Sequence, residues 1–296
     1  MRCLVTGASG FVGSNLVIRL LKEGHFVFAI DNMSLRPLFD RKDFPKIING
    51  IDWLFKSIND ITPASFENID WVFHTAAKVI THESINNPYS FFRTNVDGTA
   101  NIFECARLAG VKKFIYLASG SCYGKADIIP TPETAAIKFL NPYTLTKYLG
   151  EEYVLSMGKL YNLPTISLRM FYIYGKSARQ SSVFSKFAQQ ITNGEKLTVY
   201  GNGEQKCDYL YVDDAVDAIL VAAKSNVTND FFNIGAGKAY SVNELVSMIG
   251  KEAIHIKTNY DEPEYILADI SKAKRILGWE PKISLDMGVK KTFYAI

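Results

Sequence analysis

The chain has 296 residues, about twice the usual domain length, and is 48% apolar and 21% charged, a globular composition that excludes a disordered or collagen-like protein. With 33 Lys and Arg against 30 Asp and Glu, the net charge of +3 is too small to argue for a nucleic-acid or membrane partner. No run reaches the roughly 18 apolar residues of a membrane span, and Met1 leads at once into a strand-like run, so no signal peptide is expected.

Arg2 to Thr6 reads as a short apolar strand, followed by a Gly-rich turn and a helix from Phe11 to Glu23 that Gly24 ends. Phe26 to Ile30 is the next strand and closes on Asp31. Further strands are expected at Ile51 to Phe55, Trp71 to His74, Phe114 to Ala118, Thr165 to Leu168 and Phe231 to Ile234, with long helices over about Ile85 to Ala109 and Pro142 to Tyr161. Continuous apolar strands alternating with helices predict an α/β fold, a doubly wound parallel sheet. After about residue 170 the rhythm breaks, and segments 171–204 and 240–296 read as a second, smaller lobe. Residues 1–170 with about 205–239 then form the nucleotide-binding domain. Cys3, Cys105, Cys122 and Cys207 are scattered, without CxxC spacing, and read as reduced thiols of a cytoplasmic protein; no metal site is expected.

Gly7, Gly10 and Gly13 sit between the first strand and a periodic helix. A pyrophosphate binds well at a helix N-terminus, where backbone N–H groups and the dipole favour negative charge, and glycines let it approach. Asp31, 18 residues beyond Gly13, is placed to accept bonds from a ribose 2′-hydroxyl and to repel a 2′-phosphate, which favours NAD; Arg36 leaves NADP open.

Tyr143 and Lys147 are four residues apart, about 400° of helix, and so share one face. An ammonium beside a phenol favours the phenolate, making a base for a hydroxyl and an acid for a ketone. The spacing alone is common; Tyr172 and Lys176 repeat it, but straddle Gly175 where no helix aligns them. Asn141-Pro142, a cap and first-turn proline, sets Tyr143 at the start of a rigid helix. Ser119, at the carboxyl end of the strand 114–118, is placed to hold a substrate oxygen and share its proton with Tyr143. Asn95 reads as a polar anchor to the catalytic segment or as an ordinary surface residue, and His74 as a satisfied core histidine rather than a base.

Assembled in this order, these residues resemble those of an extended short-chain dehydrogenase/reductase. More narrowly, the chain resembles the NAD-dependent epimerase/dehydratase family acting on nucleotide-activated sugars, typified by UDP-glucose 4-epimerase. Beyond the glycine motif, Asp31 and Tyr143 to Lys147, its carriers include His74 to Ala77, Thr94 to Thr99, Ser119 to Gly124, Gly201-Asn202-Gly203, Tyr211 to Asp214 and Ala268 to Ala273. The resemblance implies a Rossmann domain with a substrate-binding lobe and a catalytic triad of Ser119, Tyr143 and Lys147. It implies that Gly7, Gly10, Phe11, Val12 and Gly13 hold the pyrophosphate of NAD, Asp31 and Asn32 the adenosine ribose, and that Ser57 and Ile58 lie near adenine. Ala76, Ala77 and Asn95 would line the cofactor side, with Tyr143 and Lys147 on the nicotinamide ribose. The helices around Asn95 and Tyr143 resemble those of the family's dimer four-helix bundle, which implies a homodimer.

The departures bear on substrate. Dehydratases carry an acidic pair after the catalytic Ser or Thr, whereas Gly120-Ser121 stands here and argues against elimination of water. Groups that grip the substrate diphosphate in the family are replaced by Tyr172, Cys207 and Asn259, with Lys206, Lys176 and Arg179 as the cations available to compensate. The substrate-binding set expected is Ser119, Ser121, Tyr143, Tyr172, Lys176, Arg179 and Cys207. The expected function is NAD-dependent epimerisation of a nucleotide sugar, an isomerase with an internal oxidoreductase step. Two alternatives stand beside it: an NAD(P)-dependent reductase or dehydrogenase of a keto-sugar or sugar acid, and a non-catalytic module that senses a dinucleotide.

Overall fold

The computed structural model describes residues 1–32, 51–176, 178, 182–257 and 264–294. In chain order the elements are β1 (Arg2–Thr6), α1 (Phe11–Lys22), β2 (Phe26–Asp31), β3 (Ile51–Phe55), β4 (Trp71–His74), α2 (Thr81–Asn86), α3 (Pro88–Phe92), α4 (Thr99–Leu108), β5 (Lys113–Ser119), α5 (Pro142–Tyr161) and β6 (Thr165–Met170). Then follow β7 (Tyr172–Tyr174), α6 (Val183–Thr192), β8 (Leu197–Tyr200), β9 (Lys206–Tyr211), α7 (Val212–Lys224), β10 (Asp230–Ile234), β11 (Ala239–Ser241), α8 (Val242–Ile249), β12 (Ala253–Ile256), β13 (Tyr265–Ile266) and α9 (Leu285–Val289).

Among the described residues a seven-stranded sheet runs in the order β10-β6-β5-β4-β1-β2-β3. The pairs from β5 through β3 are parallel, in registers such as Thr6 opposite both Ile30 and His74. The order reverses between β1 and β4, the switch point where doubly wound sheets bind ligands at the carboxyl ends of their strands. The apolar strands are buried as their composition demands: Leu4, Ile30, Val72, Phe114 and Tyr116 pack with Ile102, Phe103 and Val154 from α4 and α5 into one core.

Contacts divide the chain into two compact units. The first contains residues 1–122, 139–169 and 216–232; the second contains 123–138, 170–215 and 233–296. In the second unit β9 is flanked by β11 and β13 and pairs with β7 as well. Its core is aromatic, with Tyr174 stacked on Phe184 at 4.2 Å and Tyr209 edge-on to Phe184 at 5.3 Å. The buried Asp208 carboxylate accepts the N–H groups of Ala236, Gly237 and Ala268, tying three points of chain to β9. Burial pushes its pKa up to about 6, while the three amides pull it back down.

One expectation needs correction. The helix foreseen over about 85–109 is broken into α2, α3, a wider π-type turn at Arg93–Gly98, and α4. Pro88 is the cause. It disfavours helical backbone at Asn87, which takes φ −139° and ψ 64°, and Asn87 then caps α3 by accepting the N–H of Ser90.

Candidate active site

The Gly-rich turn joins β1 to α1. Gly7 has φ +66°, a left-handed conformation that favours glycine, and its carbonyl accepts the N–H of Gly10. The start of α1 has no side-chain cap and no acidic residue in its first turn, so the amides of Phe11 and Val12 and the positive end of the dipole are not answered by a side chain. A Cβ on Gly13 would lie 2.1 Å from the Gly7 carbonyl oxygen, so the turn folds back onto the helix where only a glycine fits. This cradle fits a pyrophosphate.

Asp31 closes β2 beside the turn, buried, and accepts the N–H of Ser9 at 2.9 Å. Asn32 follows it, exposed. Ser57 caps a short 3₁₀ turn by accepting the N–H of Asn59, and Ile58 behind it is buried under Gly98. Arg36, Arg179 and Asn259 lie outside the described residues.

Beyond β4, Ala76 and Ala77 are half-buried, and the N–H of Ala76 reaches the Thr6 hydroxyl at 3.3 Å. Asn95 is the polar anchor of the two readings left open above. Its Oδ1 accepts the N–H of Lys78 at 2.8 Å, and its Nδ2 donates to the Lys78 carbonyl and to Thr146 Oγ1 on α5. One buried side chain thus joins the segment after β4 to the helix carrying Tyr143. His74 is a satisfied core residue as expected. Thr6 Oγ1, receiving Ala76 N–H, donates to Nδ1 at 2.7 Å, and Nε2–H donates to Thr99 Oγ1, which itself donates to the Asn95 carbonyl. Burial, with the Lys147 charge adding to it, drives the His74 pKa down to about 3, so the ring is neutral.

Helix α5 begins as foreseen. Asn141 and Thr144 form a reciprocal capping box with Pro142 in the first turn. Tyr143 is half-buried one turn before Lys147, which is 4% exposed. Burial lowers the Lys147 pKa to about 7, and Glu151, a further turn along, opposes the shift. That carboxylate accepts two N–H groups of Arg169 on Oε1, with an Nε distance of 2.9 Å, and the Ser167 hydroxyl on Oε2 at 2.7 Å. Ser119 ends β5, its hydroxyl 2.7 Å from that of Ser121. No carboxylate follows Ser119 in the turn Gly120–Tyr123.

Of the remaining expected residues, Tyr172 lies on β7, its hydroxyl accepting the N–H of Val183 and its ring edge-on to Tyr209. Lys176 follows Gly175, exposed. Cys207 is half-buried on β9, opposite Tyr240 on one side and Ile266 on the other. All four cysteines are free thiols. Two features escaped the sequence reading: the buried Glu151–Arg169 pair, whose partners are 18 residues apart on different elements, and Tyr116, which looks like any apolar member of its strand.

The sequence profile of the NAD dependent epimerase/dehydratase family matches residues 3–235. The chain belongs to this family. The UDP-glucose 4-epimerase of Mycolicibacterium smegmatis is 32% identical across 99% of this chain and 97% of its own. The UDP-glucuronate 4-epimerase of Thermodesulfobacterium geofontis is also 32% identical, across 98% and 94%. The crystal structure of UDP-glucose 4-epimerase from Thermotoga maritima with UDP-glucose superposes with a TM-score of 0.90, at 33% identity over 99% of this chain and 97% of that one. As an epimerase/dehydratase family member the chain has the α/β fold of these epimerase structures, a seven-stranded sheet flanked by helices. Among its described residues no helix is long and apolar enough to cross a membrane.

Proposed function

We propose that this chain is an NAD-dependent 4-epimerase of a UDP-sugar. The observation that carries the reading is the lysine ammonium buried one helical turn from Tyr143, on a helix pinned by Asn95 and by its own capping box. A charge so desolvated costs free energy and is retained where it acts on a neighbour. Gly7, Gly10, Phe11, Val12 and Gly13 would hold the pyrophosphate, Asp31 and Asn32 the ribose, Ser57 and Ile58 the adenine end, and Ala76, Ala77 and Asn95 would line the cofactor side of the cleft. Bound there, NAD supplies a hydride acceptor that is also the donor for the return.

The protein supplies the rest. Tyr143 takes the proton from the sugar hydroxyl and later returns it, so that the sugar passes through a ketone and no net redox occurs. Lys147 favours the phenolate of Tyr143, and Ser119, steadied by Ser121, fixes the oxygen. The absence of a carboxylate after Ser119 speaks against dehydration. To test this, the purified protein is mixed with UDP-galactose, UDP-glucose or UDP-glucuronate without added dinucleotide and the products are separated. Interconversion to an equilibrium mixture without build-up of NADH is expected. Accumulated NADH, or turnover only with added NAD(P)H, would instead establish the reductase or dehydrogenase alternative.

Tyr172, Lys176, Arg179 and Cys207 are the residues we place on the substrate. Cys207 stands where the family carries a diphosphate-gripping arginine. Cys207→Arg is therefore expected to tighten UDP binding by roughly tenfold, the worth of one added charge-assisted hydrogen bond. Calorimetry with UDP reads this directly, and an unchanged affinity would mean that another cation already fills the role.

The proposed assembly is a homodimer. Leu145 and Leu149 lie one turn apart on α5, each more than a third exposed, and Leu108 on α4 is 56% exposed. A second copy offering the same helices would cover them in an isologous bundle. Leu145→Glu with Leu149→Glu should halve the sedimenting mass; a wild-type protein that already sediments as a monomer would refute the dimer.

A further inference from the structure

Behind Lys147 stands a side chain to which neither the family motifs nor the reaction assign a part. Tyr116, on β5, is fully buried. Its ring presents a face to the Lys147 ammonium, 4.3 Å from Nζ to the ring centre, while its hydroxyl donates to the Lys147 backbone carbonyl at 3.1 Å. We propose that Tyr116 is a positioning residue for the catalytic lysine, its aromatic face serving as the platform that keeps Lys147 charged and aimed along α5 towards Tyr143. The proposal rests on the reading of Tyr143 and Lys147 given above.

The surroundings leave this work to the ring. Among the described residues, the titratable groups near Lys147 include Tyr143 one turn before it, Glu151 one turn after it, His74 on β4 and Tyr116 on β5; Asn95, which packs on α5 through Thr146, is neutral. Glu151 is the counter-charge, but both its oxygens are engaged by Arg169 and Ser167. His74 is locked between two threonine hydroxyls as the neutral Nε2–H tautomer and adds no charge of either sign. A cation held over an aromatic face within about 6 Å of its centre is stabilised most where water is excluded, as it is here. The ring is itself fixed. His74 stacks on it at 5.8 Å and 28°, and α5 closes on its hydroxyl so tightly that a Cβ on Gly150 would lie 2.5 Å away. Burial raises the Tyr116 phenol well above its ordinary pKa, so it stays a neutral donor and keeps its grip on the helix.

The test reads Tyr143 itself. The phenolate absorbance of the NAD-loaded protein is titrated with pH and the Tyr143→Phe variant is subtracted, giving the midpoint of that one phenol without any substrate. Lys147→Met should raise this midpoint by more than about one pH unit, or tenfold in phenolate population. Tyr116→Phe, which keeps the ring, should stay near wild type, and Tyr116→Leu should raise the midpoint by about half a unit to one unit. Should the leucine variant fail to fold, mono-, di- and trifluorophenylalanine at position 116 keep the shape while draining the π-face, and the midpoint should climb with each fluorine. A flat fluorine series beside a shifted Lys147→Met overturns the role of Tyr116 and leaves the lysine–tyrosine pair standing. A Lys147→Met midpoint equal to wild type overturns both.

Discussion

Tyr143→Phe should lower kcat for UDP-sugar epimerisation by roughly 10²- to 10⁴-fold, the usual worth of a placed acid–base group, while leaving KM within a few-fold. The loss is expected to be chemical because the substitution removes one oxygen and little else. Helix α5 is started by Asn141 and Thr144 and anchored by Asn95 through Thr146, whose hydroxyl donates to the Tyr143 backbone carbonyl at 3.0 Å, a bond the substitution leaves in place. The phenyl ring of the variant keeps the half-buried position filled. Circular dichroism and bound dinucleotide should therefore match wild type while the rate collapses. A Tyr143→Phe protein that interconverts UDP-glucose and UDP-galactose at the wild-type rate would end the enzyme mechanism as drawn and favour the dinucleotide-sensing module, which has no use for the pair.

The direction of the Lys147 shift shows why the phenol needs a built environment. In water the ammonium is charged far above neutral pH, yet burial brings its pKa to about 7, at the edge of the range in which it is useful. Any positive charge on His74 would press it lower. Burial keeps His74 neutral between its two threonines, and so spares the Lys147 cation on α5 a like charge beside it.

Much of this was legible in the sequence because it is encoded locally. A glycine motif between a strand and a periodic helix, or an Asn-Pro cap before Tyr143, depends on neighbours within a few residues, and the cap, the seven strands of the main sheet and the helix over 142–161 appear as read. The break at Asn87 was missed although Pro88 announces it, since the apolar spacing continues through it. Tyr116, Thr99 and Arg169 were illegible for a different reason. Their roles arise from contacts between separate elements, as when His74 on β4 comes opposite Tyr116 on β5, or Arg169 on β6 meets Glu151 on α5. In a buried parallel sheet every residue looks like core, and nothing in strand periodicity tells a packing tyrosine from one under a cation. The second unit was harder still, because short strands such as β7, β11 and β13 carry too few residues for a pattern.

Gly13→Ala tests the cofactor cradle with a single methyl group. In most helices alanine is the more stable residue by about 1 kcal/mol. Here the sign reverses, because the new Cβ would stand 2.1 Å from the Gly7 carbonyl oxygen, 2.9 Å from the Gly7 carbonyl carbon and 2.9 Å from Thr75 Oγ1. Two of those atoms are backbone and cannot swing aside. The turn must open, and with it moves the Gly7 carbonyl that receives Gly10 N–H and shapes the entrance to α1. Overpacking of this kind costs about 1–3 kcal/mol, a fall in Tm of several degrees for a chain of this size. The larger consequence is for binding: the amides of Phe11 and Val12 serve a pyrophosphate only while the turn holds them together. Purified Gly13→Ala protein should therefore remain folded at room temperature but carry less than roughly a tenth of the wild-type dinucleotide, read by chromatography after denaturation. Full occupancy would show that the cradle at the carboxyl end of β1 is not where the pyrophosphate rests, and the assignment of Gly7, Gly10 and Gly13 would have to be withdrawn together with that of Asp31 beside them.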